Sequence, residues 1–189
     1  MTNAIILHGM PDKQEYFNGS RPSASNSHWL PWLQKQLMIH DIKADTPEIP
    51  NIYAPKWDVC VEEVERFAIT PETILVGHSL GAGFWVRYLS QNPNIFVDKV
   101  VLVAPWLNLD QEIDTDFFDF DIDPAITSHV NEFVVFGSDN DMESVRSTIA
   151  LLQARLPMAT YRTFHDYGHF TLRSMGTDAF PELLETILK

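Results

Sequence analysis

Short runs of apolar residues alternate along this chain with stretches in which apolar side chains recur every three or four positions. Such runs are typical of buried strands, and the three-to-four spacing is typical of helices that bury one face. The predicted strands are Ala4–Leu7, Ile42–Asp45, Thr73–Val76, Lys99–Ala104, Glu132–Gly137 and Ala159–Phe164. The predicted helices are Trp29–His40, Trp57–Phe67, Phe84–Leu89 and Val145–Leu156, with a last one starting near Phe180. This alternation predicts an α/β fold with a parallel sheet of about six strands and helices on both faces.

Length and charge limit the classes of protein that the chain can belong to. At 189 residues, a single domain over 1–189 is the default. A net charge of −13 argues against nucleic acid and anionic membranes as partners, because both favour a basic face. No apolar run approaches the roughly 20 residues of a membrane span. Cys60 is the single cysteine, so an intrachain disulfide is excluded, and we expect a cytoplasmic protein.

The stretch Gly77-His-Ser-Leu-Gly81 fits the pattern G-x-S-x-G and lies between a predicted strand and a predicted helix. In that context the pattern indicates a nucleophile elbow, a sharp turn that exposes the central serine at the end of a strand. The alternative is a glycine-rich turn with an incidental serine, since the five-residue pattern alone is not specific. Ser79 is therefore the candidate nucleophile.

A serine hydroxyl needs a general base, and that base needs an orienting carboxylate. In this fold the three groups follow different strands, in the chain order Ser, acid, His. We favour His169, which follows a glycine in a tight turn, over His165, which lies only one residue beyond the last strand. Asp139 and Asp141 both follow the fifth strand, and geometry leaves the choice between them open.

The backbone N–H groups of Leu80 and Met10 are predicted to form an oxyanion hole, because both residues follow strand ends at one edge of the sheet. His8, before Met10, is expected to orient this loop. These groups predict a serine hydrolase of the carboxylesterase type that needs no metal or cofactor. Its expected substrates are small ester, thioester or amide molecules, cleaved through an acyl-enzyme. The alternative is a hydrolase-like fold used as a binding module with little turnover.

Two polar segments leave the edge of the sheet that carries these groups. Residues 11–27 are rich in Gly, Ser, Asn and Pro, and they predict either a mobile flap over the site or a disordered loop. Tyr16 and Phe17 lie within this segment and are candidates for contact with substrate. Aromatic residues in these loops suggest a small, apolar acyl or alcohol group on the substrate.

Residues 110–123 form an acidic segment that also contains Phe117 and Phe118. The spacing of Asp119, Asp121 and Asp123 is that of calcium ligands, but the next residue is a proline where an EF-hand loop requires glycine. We therefore predict no metal site. The aromatic side chains of this segment are expected to tuck either against the core or against the substrate cleft.

The chain resembles the small serine-hydrolase family that includes retinoblastoma-binding protein nine and the YdeN-type bacterial hydrolases. The resemblance extends over nearly the whole chain and is carried by the motifs Ile5-Ile-Leu-His-Gly9, His28-Trp29-x-x-Trp32-Leu33, Gly77-His-Ser-Leu-Gly81, Val101-Leu-Val103, Phe136-Gly-Ser138 and Gly168-His-Phe170. It implies a compact α/β-hydrolase fold without a separate cap domain. It also implies that the acid lies four residues after Gly137, which selects Asp141, and that the segment from Phe117 lies beside the cleft.

Overall fold

The computed structural model describes residues 2–189, which are organised around a sheet of six parallel strands. The strands are β1 (Asn3–Leu7), β2 (Lys43–Asp45), β3 (Thr73–His78), β4 (Val97–Val103), β5 (Val130–Ser138) and β6 (Thr160–Phe164). Their order across the sheet is β2-β1-β3-β4-β5-β6, and all neighbours are parallel. The predicted parallel α/β fold is confirmed, and the strand ends differ from the prediction by one or two residues.

Helices cover both faces of this sheet. They are α1 (Lys13–Tyr16), α2 (Leu30–Ile39), α3 (Trp57–Val64), α4 (Leu80–Gln91), α5 (Glu143–Arg155), α6 (Leu172–Met175) and α7 (Pro181–Leu188). The β1-to-β2 crossover runs in the opposite direction across the sheet from the later crossovers, so right-handed connections place α2 on one face and α3, α4 and α5 on the other. Trp29 accordingly contacts Phe180 at the start of α7, whereas Trp57 contacts Phe84 of α4.

The central strands contain long apolar runs, as expected of strands that helices cover on both sides. All residues of β3 are buried, as are all but one of β4, whereas the edge strand β6 is mostly exposed or half-buried. The register aligns the carboxyl ends of the strands: His78 pairs with Val103, and Ser138 pairs with Phe164. The loops that carry the candidate catalytic residues therefore leave the sheet at one edge.

Residues 11–27 form an ordered wall rather than a loop without structure. The segment contains α1 and a 3₁₀ helix at Ala24–Asn26. Two contacts tie it to the loop after β2: the backbone N–H of Asn51 donates to the Tyr16 hydroxyl at 3.0 Å, and that of Ser25 donates to Glu48 at 2.8 Å. These anchors correct the expectation of a disordered loop.

The acidic segment packs its aromatic residues inward. Phe117 is fully buried against Trp57 and Phe84. The Arg87 guanidinium lies 4.1 Å from the centre of the Trp57 ring and donates to the carbonyl oxygens of Asp116 and Phe117. The segment between β4 and β5 is thus attached to α3 and α4. In the described structure, this segment contains one 3₁₀ helix, Pro124–His129, and it forms no separate cap domain.

Candidate active site

The turn between β3 and α4 holds Ser79 in a strained backbone conformation. Its φ of 53° and ψ of −116° lie in a region that residues with a side chain rarely adopt. The backbone around it compensates: Ser79 N–H donates to Val103 O at 2.9 Å, and Ser79 O accepts from the N–H groups of Ala82, Gly83 and Trp106. These bonds fix the serine at the end of β3, which is the geometry of a nucleophile elbow.

Three glycines allow the backbone to close tightly around this turn. A Cβ atom on Gly77 would lie 2.6 Å from Ala82 Cα, and one on Gly81 would lie 2.6 Å from His8 O. A Cβ atom on Gly9 would lie 3.1 Å from the Cβ of Ser79. The strand and the helix therefore approach each other, and the loop after β1, at distances that a side chain at 77 or 81 would prevent, and the contact at Gly9 is tight.

The loops after β5 and β6 bring Asp141 and His169 into contact. His169 Nδ1 lies 3.0 Å from Asp141 Oδ1 and 3.2 Å from Oδ2. An ionised carboxylate only accepts hydrogen bonds, so the imidazole proton sits on Nδ1 and leaves the Nε2 lone pair available as a base. The Asp141 side chain is fully buried, and it also accepts from the N–H of Met142 at 2.7 Å.

Asp139 and His165, the competing acid and base, form a separate pair away from this contact. His165 Nδ1 lies 2.6 Å from Asp139 Oδ2, and Nε2 lies 3.1 Å from Asp166 Oδ2. Both carboxylates raise the pKa of His165, the hydrogen bond to Asp139 contributing most, and the ring is exposed to solvent. This cluster has ligand types suited to a metal ion, but its two ring nitrogens face different carboxylates, as expected of a protonated imidazole.

Ser79 and His169 line the same cleft without a direct hydrogen bond between them in the described part of the chain. Ser79 is 9% exposed, and the side chain of His169 is 21% exposed. Contacts between a nucleophile and its base are often long in unliganded enzymes and shorten when substrate binds. The acid and the base are therefore in direct contact, and the nucleophile lines the same cleft as the base.

His78, next to the nucleophile, holds the backbone of the histidine loop, a role that the sequence did not reveal. Its Nε2–H donates to His169 O at 2.8 Å. Burial is the main cause that lowers the pKa of His78 well below its ordinary value, and the nearby His169 and His28 add to it. His78 is therefore neutral, and within residues 2–189 its buried Nδ1 has no hydrogen-bond partner.

The backbone N–H groups of the two predicted oxyanion donors are not used in the hydrogen bonding of the described residues. Among the described residues, neither Met10 N–H nor Leu80 N–H has an acceptor. Leu80 is the first residue of α4, so the positive end of the helix dipole adds to its N–H. Met10 lines the cleft together with Ser79. His8 orients the loop as expected, since its Nδ1–H donates to Gly9 O at 2.8 Å and its Nε2 accepts from Ile49 N–H.

The cleft has a volume of about 1090 Å³, and its walls combine polar with apolar surface, the apolar part being the larger. The segment 11–27 supplies one wall, including Tyr16, and the residues after His169 supply the other. His28 also lines the cleft, which was not foreseen. Its Nδ1 accepts from the N–H of Leu172 at 3.2 Å, so the ring proton sits on Nε2. Burial, and then the proximity of His169, lower the pKa of His28.

Three of the four aromatic residues considered as cleft candidates lie elsewhere, which corrects the prediction for them. Phe17 is 64% exposed and contacts Tyr16 and Tyr53. Phe117 is fully buried in the core, and Phe118 packs edge-on against Trp106 and Phe117. The hydrophobic core competes for the rings of Phe117 and Phe118 more strongly than the cleft does. Because these three rings lie outside the cleft, they no longer support the expectation of an apolar group on the substrate.

Comparison with known proteins identifies the class. Residues 17–188 match the serine hydrolase family, and the chain belongs to that family. It is 26% identical to YdeN from Bacillus subtilis strain 168, described as a candidate hydrolase, over 184 residues that cover 93% of this chain and 94% of YdeN. The resemblance to YdeN-type hydrolases is thereby confirmed.

Solved structures share the fold. The crystal structure of the ydeN gene product from B. subtilis has a TM-score of 0.80 at 21% identity and covers 100% of this chain and 97% of that one. A YdeN-like candidate hydrolase from Pectobacterium atrosepticum has a TM-score of 0.65 at 19% identity, covering 98% and 89%. The fold is that of the compact α/β hydrolases. None of the helices in residues 2–189 has the length and apolar character that crossing a membrane requires.

Proposed function

We propose that this member of the serine hydrolase family cleaves small carboxylic esters, or related thioesters and amides, through a Ser79-His169-Asp141 triad. One observation carries the proposal: the buried Asp141 carboxylate holds the proton of His169 on Nδ1, in the cleft that also contains the strained Ser79. A base with a free Nε2 and a nucleophile that line the same cleft form the arrangement that acyl transfer requires.

The reaction proceeds in two halves. Ser79 Oγ attacks the substrate carbonyl carbon while its proton passes to Nε2 of His169, and Asp141 stabilises the resulting imidazolium. The N–H groups of Met10 and Leu80 donate to the oxyanion, each worth about 3 kcal/mol in comparable sites. The intermediate collapses, the bond to the leaving group breaks, and His169 protonates that group. Water then repeats the attack on the acyl-enzyme and releases the carboxylic acid and free Ser79.

The walls of the cleft combine apolar surface with a few hydrogen-bonding side chains. Asn18, Gln14 and Ser23 line the cleft together with Tyr16. Asn18, Gln14 and Ser23 are exposed to solvent, so water can pair with them and they discriminate only weakly between polar and apolar substrates.

Substitution of the nucleophile tests the proposal. Ser79→Ala is expected to lower the hydrolysis of p-nitrophenyl acetate by at least about 10³-fold, since the remaining groups cannot form an acyl-enzyme. Ser128→Ala is the matched control, because Ser128 is exposed at the opposite end of β5 and donates to Ala125 O. Turnover by Ser79→Ala at the rate of the wild type would reject Ser79 as the nucleophile. A wild type that binds esters without turnover would instead favour a binding module.

A further inference from the structure

The loop after β5 contacts the loop after β6 through four consecutive side chains. The backbone N–H of Tyr167 donates to Ser138 Oγ at 3.0 Å, and that of Asp166 donates to Asp139 Oδ1 at 3.1 Å. The N–H of Gly168 donates to Asn140 Oδ1 at 2.7 Å. The side chains at 138, 139 and 140 thus accept from three consecutive N–H groups, and the next side chain, Asp141, accepts from His169 Nδ1.

The side chain of Asn140 forms hydrogen bonds with three other residues of these two loops. Its Oδ1 accepts from both Gly168 N–H and the hydroxyl of Ser138, each at 2.7 Å, and its Nδ2 donates to Asp166 Oδ1 at 3.3 Å. The amide therefore bonds to the residue before His169 and also holds the serine that bonds to Tyr167. Ser138 itself is 3% exposed, so the inner part of this contact is shielded from water.

The loop that carries His169 needs such external support because its own backbone is strained. Asp166, Gly168 and Phe170 have φ values of 60°, 52° and 52°, in the left-handed region, and two of them carry side chains. Strained conformations persist where the surrounding structure overdetermines them. On one side the His169 backbone is held by His78, and on the other the N–H groups before it are held by residues 138–140.

We propose that Asn140 is a positioning residue for catalysis, which fixes Gly168 and thereby sets the height of the His169 imidazole relative to Asp141 and Ser79. The proposal rests on the triad mechanism stated above. Asn140 touches neither substrate nor reacting atoms, and it acts through the backbone of the histidine loop. Misplacement of a catalytic group by about 1 Å can reduce rate on the order of 10²-fold, so loss of this support is expected to slow chemistry rather than weaken binding.

The test compares Asn140→Ala with Asn131→Ala. Asn131 lies near the start of β5, is exposed, and bonds through its amide to the Asp98 carboxylate, away from the cleft. For p-nitrophenyl acetate, Asn140→Ala is expected to lower kcat by about 10- to 100-fold with KM within about twofold of the wild type. Asn131→Ala is expected to keep both constants.

Asn140→Asp separates the positioning role from a general loss of stability. Aspartate keeps the oxygen that accepts from Gly168 and Ser138 but loses the donor to Asp166. It should restore kcat to within about fivefold of the wild type in 0.5 M NaCl, where repulsion between exposed carboxylates is screened. Thermal unfolding of both variants is measured alongside, because a purely structural role would lower the melting temperature without changing kcat of the folded enzyme.

The outcomes distinguish this inference from the proposed function. An active wild type, an inactive Ser79→Ala and an Asn140→Ala with unchanged kcat would overturn the positioning role and leave the triad intact. An Asn140→Asp variant as slow as Asn140→Ala would also contradict it, because the acceptor would then not matter. If Ser79→Ala keeps full turnover, the triad itself is wrong, and the role of Asn140 falls with it.

Discussion

At the scale of single residues, two aspartates separated by one position have different environments. Asp141 is buried and bonds to His169, whereas Asp139 is exposed and bonds to His165. The sequence alone could not distinguish them, because both follow β5 and their reach differs little. The distinction arises from the turn after Ser138, in which one carboxylate points into the protein and the other into solvent.

We therefore predict unequal effects of the same substitution at the two positions. Asp141→Asn removes the charge that stabilises the imidazolium and favours the wrong tautomer, so kcat for p-nitrophenyl acetate should fall by about 10³- to 10⁴-fold. Asp139→Asn keeps the oxygen that accepts from the N–H of Asp166 and should reduce kcat by less than about tenfold. A larger loss in Asp139→Asn than in Asp141→Asn would assign the catalytic acid to Asp139.

At the scale of secondary-structure elements, the site depends on how closely α4 approaches β1 and β3. Gly77 and Gly81 occupy the two contacts at which any side chain would meet backbone atoms, which cannot rotate away. The helix is otherwise apolar and buried along most of its length, from Leu80 to Leu89. The start of α4, which carries the predicted oxyanion donor Leu80, therefore lies in close contact with the end of β1.

Gly81→Ala should separate α4 from β1 and destabilise the protein. The added methyl would lie 2.6 Å from His8 O and 2.7 Å from Leu7 O, and overpacking of this kind costs about 1–3 kcal/mol. Gly19→Ala is the control, because a Cβ atom there meets nothing within 4 Å, and its effect should stay within about 0.5 kcal/mol. Urea unfolding measures both. Equal stability of the two variants would show that α4 and β1 are not in close contact.

At the scale of the whole molecule, the sequence predicted the architecture because the strands of a parallel sheet are buried on both faces. Their apolar runs, such as Val100–Ala104, are visible without any tertiary information. Ser79 could be selected from the sequence as the candidate nucleophile for a similar reason, since the elbow is a local motif between a strand and a helix. The single-domain organisation and the cytoplasmic location stay predictions.

The sequence failed where position depends on contacts between distant segments. The ring of Phe117 enters the core only because α3 and α4 provide Trp57 and Phe84 as neighbours. His28 reaches the cleft through a contact with Leu172, far away in the chain. Helix α1 carried a local signal that was overlooked: the Asp12 side chain accepts from the N–H of Glu15 and caps the helix.

Reaction with a fluorophosphonate, followed by intact-protein mass spectrometry and peptide mapping, tests most directly that the whole fold serves to activate one serine. We predict one adduct per chain, located on Ser79, absent in Ser79→Ala and formed at least about 10²-fold more slowly in His169→Ala. An adduct on a different residue would contradict it, as would labelling of Ser79 at the same rate in the presence and absence of the His169 imidazole.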